Sequence, residues 1–127
     1  MNPVSHRVGI VTINYRSPSD TVTFAYDSRF WAGRDAPMAI VNNSAGFNDN
    51  KTLAAGCSAE VGGAGSVSSP RVVLDAGGNI GCARANNLGA KFLMEKSDVD
   101  LILFANTDVQ VENEGVGAGF EAADSRG

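Results

Sequence analysis

Four short apolar runs, each closed by polar residues, set the rhythm of the chain. Residues 7–13, Arg-Val-Gly-Ile-Val-Thr-Ile, are rich in β-branched side chains and end at Asn14-Tyr15-Arg16-Ser17-Pro18. This predicts a strand followed by a loop at its carboxyl end. Residues 37–41 form a second run, stopped by Asn42-Asn43-Ser44, and Arg71–Asp75 forms a third, followed by Gly77-Gly78-Asn79-Ile80-Gly81. The fourth, Leu101–Ala105, is five uninterrupted apolar residues between polar flanks. It reads as a strand buried on both faces and is expected at the centre of a sheet.

Helical periodicity fills two of the gaps. Ser19 or Asp20 can cap a helix running to about residue 30, with Val22, Ala25, Tyr26, Arg29 and Phe30 at helical spacing. Cys82–Lys96 carries an apolar stripe of Ala85, Leu88, Gly89, Phe92 and Leu93, with Arg84, Asn87, Lys91 and Glu95 largely elsewhere. Small Ala85 and Gly89 would let this helix approach a sheet closely. Residues 45–69 are dominated by Ala, Gly and Ser, and predict a long loop with at most a frayed helical turn. Residues 113–127 show no convincing core pattern and predict a weakly structured tail.

Strand, helix, strand, loop, strand, helix, strand is the order of an α/β fold with a mostly parallel, Rossmann-like sheet and right-handed crossovers. The polar exits at Asn14, Asn42 and Asn106 are each explicable as ordinary turns, but their repetition suggests convergence on one edge of that sheet. Asn106 and Asp108 are two positions apart, so on an extended backbone they point to the same side, about 7 Å apart. They could share a cation, or they could belong to a local turn.

Composition narrows the chemistry. At 127 residues the chain has room for one domain with a core and not for two ordinary ones. The formal net charge is −4 and the cations are scattered, which argues against nucleic acid as a partner. Cys57, Cys82 and the single His6 lack zinc-ligand spacing, and the two thiols are expected to be incidental in a reducing compartment. No basic region followed by an apolar leader opens the sequence, and no run approaches the roughly 20 apolar residues of a membrane span. The expected location is cytoplasmic, with a peripheral position at the inner membrane face as a variant.

Gly77-Gly78-x-x-Gly81 before a helix invites a dinucleotide reading, but it follows the third strand, where a dehydrogenase fingerprint would follow the first. No Gly-Lys-Ser or Gly-Lys-Thr phosphate loop occurs. A signalling receiver domain is disfavoured because paired acidic residues are lacking after the first strand.

Four blocks in order resemble the nucleotide-sugar-binding half of family 2 glycosyltransferases, especially the rhamnosyltransferase-like members. Residues 8–17 look like the family's first strand and loop. Ile40-Val-Asn-Asn-Ser44 is similar to its Val-Asp-Asn-Gly-Ser block. Gly78-Asn-Ile-Gly-Cys-Ala-Arg-Ala-Asn-Asn-Leu-Gly89 is similar to its Asn-x-Gly-Phe-Ala-x-x-Asn-Asn-x-Gly block. Leu103-Phe-Ala-Asn-Thr-Asp-Val109 resembles the Leu-Asn-Pro-Asp-Val version of its Asp-x-Asp motif.

The resemblance implies a GT-A type fold that binds a nucleotide-diphospho-sugar and transfers the sugar to an unknown sugar or lipid-linked acceptor. It places Asn43 at a nucleoside contact and the loop beginning at Asn14 around the base and ribose. Asn79 and Arg84 fall beside the diphosphate and sugar. Asp108 is implied as the ligand of Mg2+ or Mn2+, with Asn106 in the place of the motif's first Asp. Cys82 stands where the family usually has Phe.

Family members are usually at least twice this length, and their acceptor half, with its general base, follows the Asp108 block. Nineteen residues follow Asp108 here, and Glu112, Glu114, Glu121 and Asp124 form no recognisable catalytic block. The expectation is therefore one incomplete domain over 1–127, with a core over 7–112. A catalytically inactive nucleotide-binding fragment or assembly module is the alternative to a transferase. An uncovered sheet edge in such a domain implies self-association.

Overall fold

A computed structural model describes residues 7–33, 35–44, 49–62 and 69–107. In chain order these form β1 (Val8–Asn14), α1 (Pro18–Trp31), β2 (Met38–Asn42), α2 (Asn50–Cys57), β3 (Glu60–Val61), β4 (Arg71–Asp75), α3 (Cys82–Lys96) and β5 (Leu101–Ala105). The strands build one sheet in the order β3-β4-β2-β1-β5, and every pair among the described strands is parallel. The architecture is a Rossmann-like α/β sheet.

Strand alternation divides the core in two. Ile10, Met38, Ile40 and Val73 face Phe24 and Ala25 of α1 and Leu53, Ala54 and Cys57 of α2. Val11, Ala39, Val41, Val72 and Leu74 face Ala85 and Leu93 of α3. The central strands are thus apolar on both faces, as a sheet covered on both sides requires.

The close approach expected of α3 is present. A Cβ added at Gly89 would lie 2.6 Å from Val11 Cγ1 and 3.2 Å from Val41 Cγ2, so only a hydrogen fits between α3 and the sheet there.

Three expectations need correction. Leu101–Ala105 is not central: β5 pairs with β1 alone among the described strands, its residues are mostly half-buried, and Phe104 is 50% exposed. Its apolar run reports the strand's composition, which resembles that of a central strand, and not its place in the sheet.

The segment 45–69 is not one long loop. Asp49 caps α2 by accepting from Lys51 N at 3.3 Å and Thr52 Oγ1 at 3.1 Å. Ser58 closes the helix in the left-handed conformation, and β3 follows along β4. Leu53, Ala54 and Cys57 fill one stripe of this short helix; small residues suffice because α2 lies close to α1, where Gly56 meets Val22.

The inward face of α1 is Thr21, Phe24, Ala25 and Ser28, while Tyr26 and Phe30 are exposed, and Ser17, not Ser19 or Asp20, is the N-cap. Two hydroxyls point inward because each has a buried partner. Thr21 Oγ1 donates to Asn14 Oδ1 at 2.8 Å, and Ser28 Oγ accepts from Arg71 Nη2 at 3.0 Å. Arg71, at the amino end of β4, is itself buried and also donates through Nη1 to Ala25 O at 2.7 Å and Cys57 O at 3.3 Å. Burial lowers its pKa, with the Arg29 charge adding to the effect. One guanidinium thereby joins α1, α2 and β4 at the end of the sheet opposite the strand exits.

Candidate functional site: the carboxyl rim of the sheet

Parallel pairing brings the strand exits together. Asn14 of β1 aligns with Asn42 of β2, and Asn42 with Asp75 of β4, so three polar side chains stand in one row across adjacent strands. The α1, α2 and α3 N-termini follow the exits of β1, β2 and β4 respectively, turning the positive ends of their dipoles toward the same rim. The chain runs outward from β1 to β2 and on to β3 at the edge, fills β4 between β3 and β2, then crosses back over β1 to β5. The reversal of direction at β1 is the topological switch point, where ligands of open α/β sheets bind.

The rim holds two connected sets of hydrogen bonds. On the α1 and α2 side, Asn14 Nδ2 donates to Asn42 Oδ1 at 3.1 Å and to Ser44 Oγ at 3.3 Å, and Ser44 Oγ donates to Asn42 Oδ1 at 3.0 Å. Asn42 Nδ2 donates to Asn50 Oδ1 at 2.7 Å, and Asn50 Nδ2 donates to Asp75 Oδ2 at 2.9 Å. Gly77 N closes the chain on Asp75 Oδ1 at 2.7 Å. Among the described residues every buried side-chain nitrogen and oxygen is satisfied, as a low-dielectric interior demands.

On the α3 side, Asn43 Nδ2 donates to Asn79 Oδ1 at 3.2 Å, while Asn43 Oδ1 accepts from Ile80 N at 2.9 Å. Asn79 Oδ1 also accepts from Gly81 N at 3.1 Å. These bonds tie the β2 exit to the glycine turn before α3. Gly77, Gly78 and Gly81 all have positive φ, the turn geometry their sequence foreshadows.

The sequence-nominated residues are distributed as follows. Asn14 is 0% exposed and Asn43 is 2% exposed; their side chains serve the rim from within. Asn79 and Arg84 are exposed, Asn79 in the turn and Arg84 in the first turn of α3, and Asn106 is exposed just past β5. Asn43 and Asn79 are in direct contact, and Asn43 N donates to Asn14 O at 2.9 Å. Arg84 and Asn106 do not join this hydrogen-bonded set among the described residues.

Asp108 and the carboxylates at Glu112, Glu114, Glu121 and Asp124 lie outside the described residues. Among the described residues no group of three or more His, Cys, Asp or Glu could hold a metal, and Asp75 already accepts at both oxygens. The described donors do not compose a cation site by themselves.

Sequence reading singled out Asn42 as a polar strand exit and passed over Thr21, Asn50 and Asp75 as members of the rim network. A signal was present for Asp75, which, like Asn42, ends a strand whose apolar run matches that of β1. Thr21 and Asn50 become neighbours of the row only through helix placement.

No helix among the described residues is long and apolar enough to cross a membrane. No protein-family model, curated protein or solved structure matches the chain. Its assignment therefore rests on topology, as a small Rossmann-like α/β domain of a kind consistent with nucleotide binding.

Proposed function

We propose that the chain binds a nucleotide-diphospho-sugar at this rim, as a GT-A type domain resembling the donor half of family 2, rhamnosyltransferase-like glycosyltransferases. The observation that carries the reading is the 3.2 Å bond from Asn43 to Asn79, residues 36 apart in sequence. It joins the second and third resemblance blocks at the strand exits, which is where a shared donor pocket needs them.

In this reading Asn14 and Asn43 support the nucleoside side of the pocket from inside the rim. Asn79 and Arg84 face the diphosphate, where a guanidinium can donate two parallel bonds to phosphate oxygens. Asn106 and Asp108 are the proposed oxygen ligands for Mg2+ or Mn2+, hard donors of the kind such ions take. When bound, the ion neutralises charge that develops on the departing diphosphate.

Titration calorimetry with UDP, dTDP and GDP, with and without Mn2+, tests the proposal. Saturable binding of a diphosphonucleotide is expected, tightened by Mn2+ in the parent chain and insensitive to Mn2+ in Asp108→Ala. No binding of any of the three would overturn the reading.

A catalytically inactive binding or assembly module is the second reading. It is favoured by the amide and hydroxyl character of the described rim, whose carboxylate Asp75 is already bonded. Incubation with UDP- and dTDP-sugars separates the two, because only a transferase releases diphosphonucleotide.

A further inference from the structure

Asp75 ends β4 in register with Asn42 of β2, which is in register with Asn14 of β1. Strand alternation puts all three side chains on the side of Ile10, Ile40 and Val73, the α1 and α2 face of the sheet. They differ in exposure. Asn14 and Asn42 have no exposed surface, whereas Asp75 is exposed. It is the carboxylate of this row, and the ligand contacts assigned above leave it without a role.

Its orientation is set from within the protein. Asn50 Nδ2 donates to Oδ2 at 2.9 Å and Gly77 N to Oδ1 at 2.7 Å, and Asn50 is itself held by Asn42 Nδ2 at 2.7 Å. The Gly77 bond alone would make the local turn; the relay from Asn42 through Asn50 adds a restraint that a turn does not require. Both donors are neutral, so the negative charge stays on the rim. A carboxylate oxygen accepts about two hydrogen bonds, and each oxygen of Asp75 carries one from the protein. Acceptor capacity therefore remains on both, which suits two O–H donors on neighbouring carbons. Charge decides which part of a ligand can be met there: a carboxylate repels phosphates, and the residues proposed for the diphosphate, Asn79 and Arg84, belong to the α3 side. Asp75 stands with Asn14 on the nucleoside side, where a carboxylate at a strand exit can bond ribose hydroxyls.

We propose that Asp75 is the ribose-reading residue of the rim, accepting hydrogen bonds from the 2′- and 3′-hydroxyls of a nucleoside diphosphate. This rests on the nucleotide-sugar reading and narrows it. The donor class becomes a ribonucleoside diphosphate sugar, preferred over its 2′-deoxy counterpart, because a deoxyribose leaves one of the two acceptors unmet.

Calorimetry with UDP against dUDP, and GDP against dGDP, on the parent chain, Asp75→Asn and Asp75→Ser tests the assignment. The parent should bind the ribonucleotide of a pair roughly tenfold more tightly, the worth of a hydrogen bond to a charged group. In both variants the ribonucleotide should weaken to the level of its deoxy counterpart, while the deoxynucleotide keeps the parent's affinity. The parent's own preference is read without any variant, so it does not depend on how a substitution affects folding. If the parent binds nucleotide without that preference, the Asp75 assignment falls while the nucleotide reading stands. Equal weakening of both members of a pair in the variants also overturns it, because Asp75 then acts only by shaping the turn at Gly77. A parent chain that binds none of the four overturns both.

Discussion

Asn14 Nδ2 donates to Asn42 Oδ1 at 3.1 Å across the β1–β2 pair, and neither residue has any exposed surface. Two carboxamides thus meet where apolar strands end, and each passes its hydrogen bonding on, Asn14 to Thr21 and Ser44, Asn42 to Asn50. Asn14→Ala would remove the donor to Asn42 and Ser44 and the acceptor for Thr21 inside a dry region. A loss of about 1–3 kcal/mol in unfolding free energy is expected, read from urea denaturation. A variant as stable as the parent would show that the network is dispensable for the fold.

Gly89→Ala tests the contact of α3 with the sheet. The new methyl group would sit 2.6 Å from Val11 Cγ1, and Val11 is fully buried with a stiff χ1. Overpacking costs about 1–3 kcal/mol and outweighs the roughly 1 kcal/mol that Ala gains over Gly in a helix. The thermal midpoint should fall, and Val11→Ala in the same chain should recover part of the drop. A rise in Gly89→Ala alone would contradict the close approach.

Cys57 and Cys82 should separate chemically. Burial raises the Cys57 thiol from 9.0 to about 11, with the Arg71 charge partly opposing, whereas Cys82 is exposed at the start of α3. Alkylation at pH 8 should label Cys82 quickly and Cys57 only on unfolding. Between about pH 9 and 11 the folded chain holds the Cys57 proton more tightly than the unfolded chain. This contribution to stability is complete below pH 9 and is lost as pH rises through 11. Urea midpoints measured across that window should fall more steeply for the parent than for Cys57→Ala.

Phe104, half exposed on a strand paired on one side among the described residues, makes β5 a candidate surface for self-association. Sedimentation should show a mass that rises with concentration, and Phe104→Lys should reduce the rise. A compact parent monomer at high concentration is the contrary outcome.

The helix Cys82–Lys96 and four of the strands were legible in the linear pattern because their burial is periodic and local. Ala85, Gly89 and Leu93 recur on one helical face, and the short apolar runs 8–11, 38–41 and 71–74 carry β-branched residues between polar flanks, which fits strands buried in a sheet. Even the small residues at 85 and 89 foretold a close helix-to-sheet contact, since their volume alone permits it.

Position across the sheet had no such local signal. Leu101–Ala105 has a central strand's composition and lies at an edge among the described strands, because neighbourhood is set by the path of α3 over the sheet. The inward hydroxyls of Thr21 and Ser28 were likewise hidden: besides the local carbonyls of Ser17 and Ala25, they meet Asn14 and Arg71, which arrive from 7 and 43 residues away. α2 was obscured because short side chains suffice where two helices nearly touch. What the amino-acid order determined was four of the strands, the helices between β1 and β2 and between β4 and β5, their parallel alternation and the polar exits, all consequences of neighbouring residues. Which exits adjoin, which polar groups satisfy one another and which strand is left at the edge were decided by tertiary packing, since hydrogen bonds and burial act between residues that only the fold brings within reach.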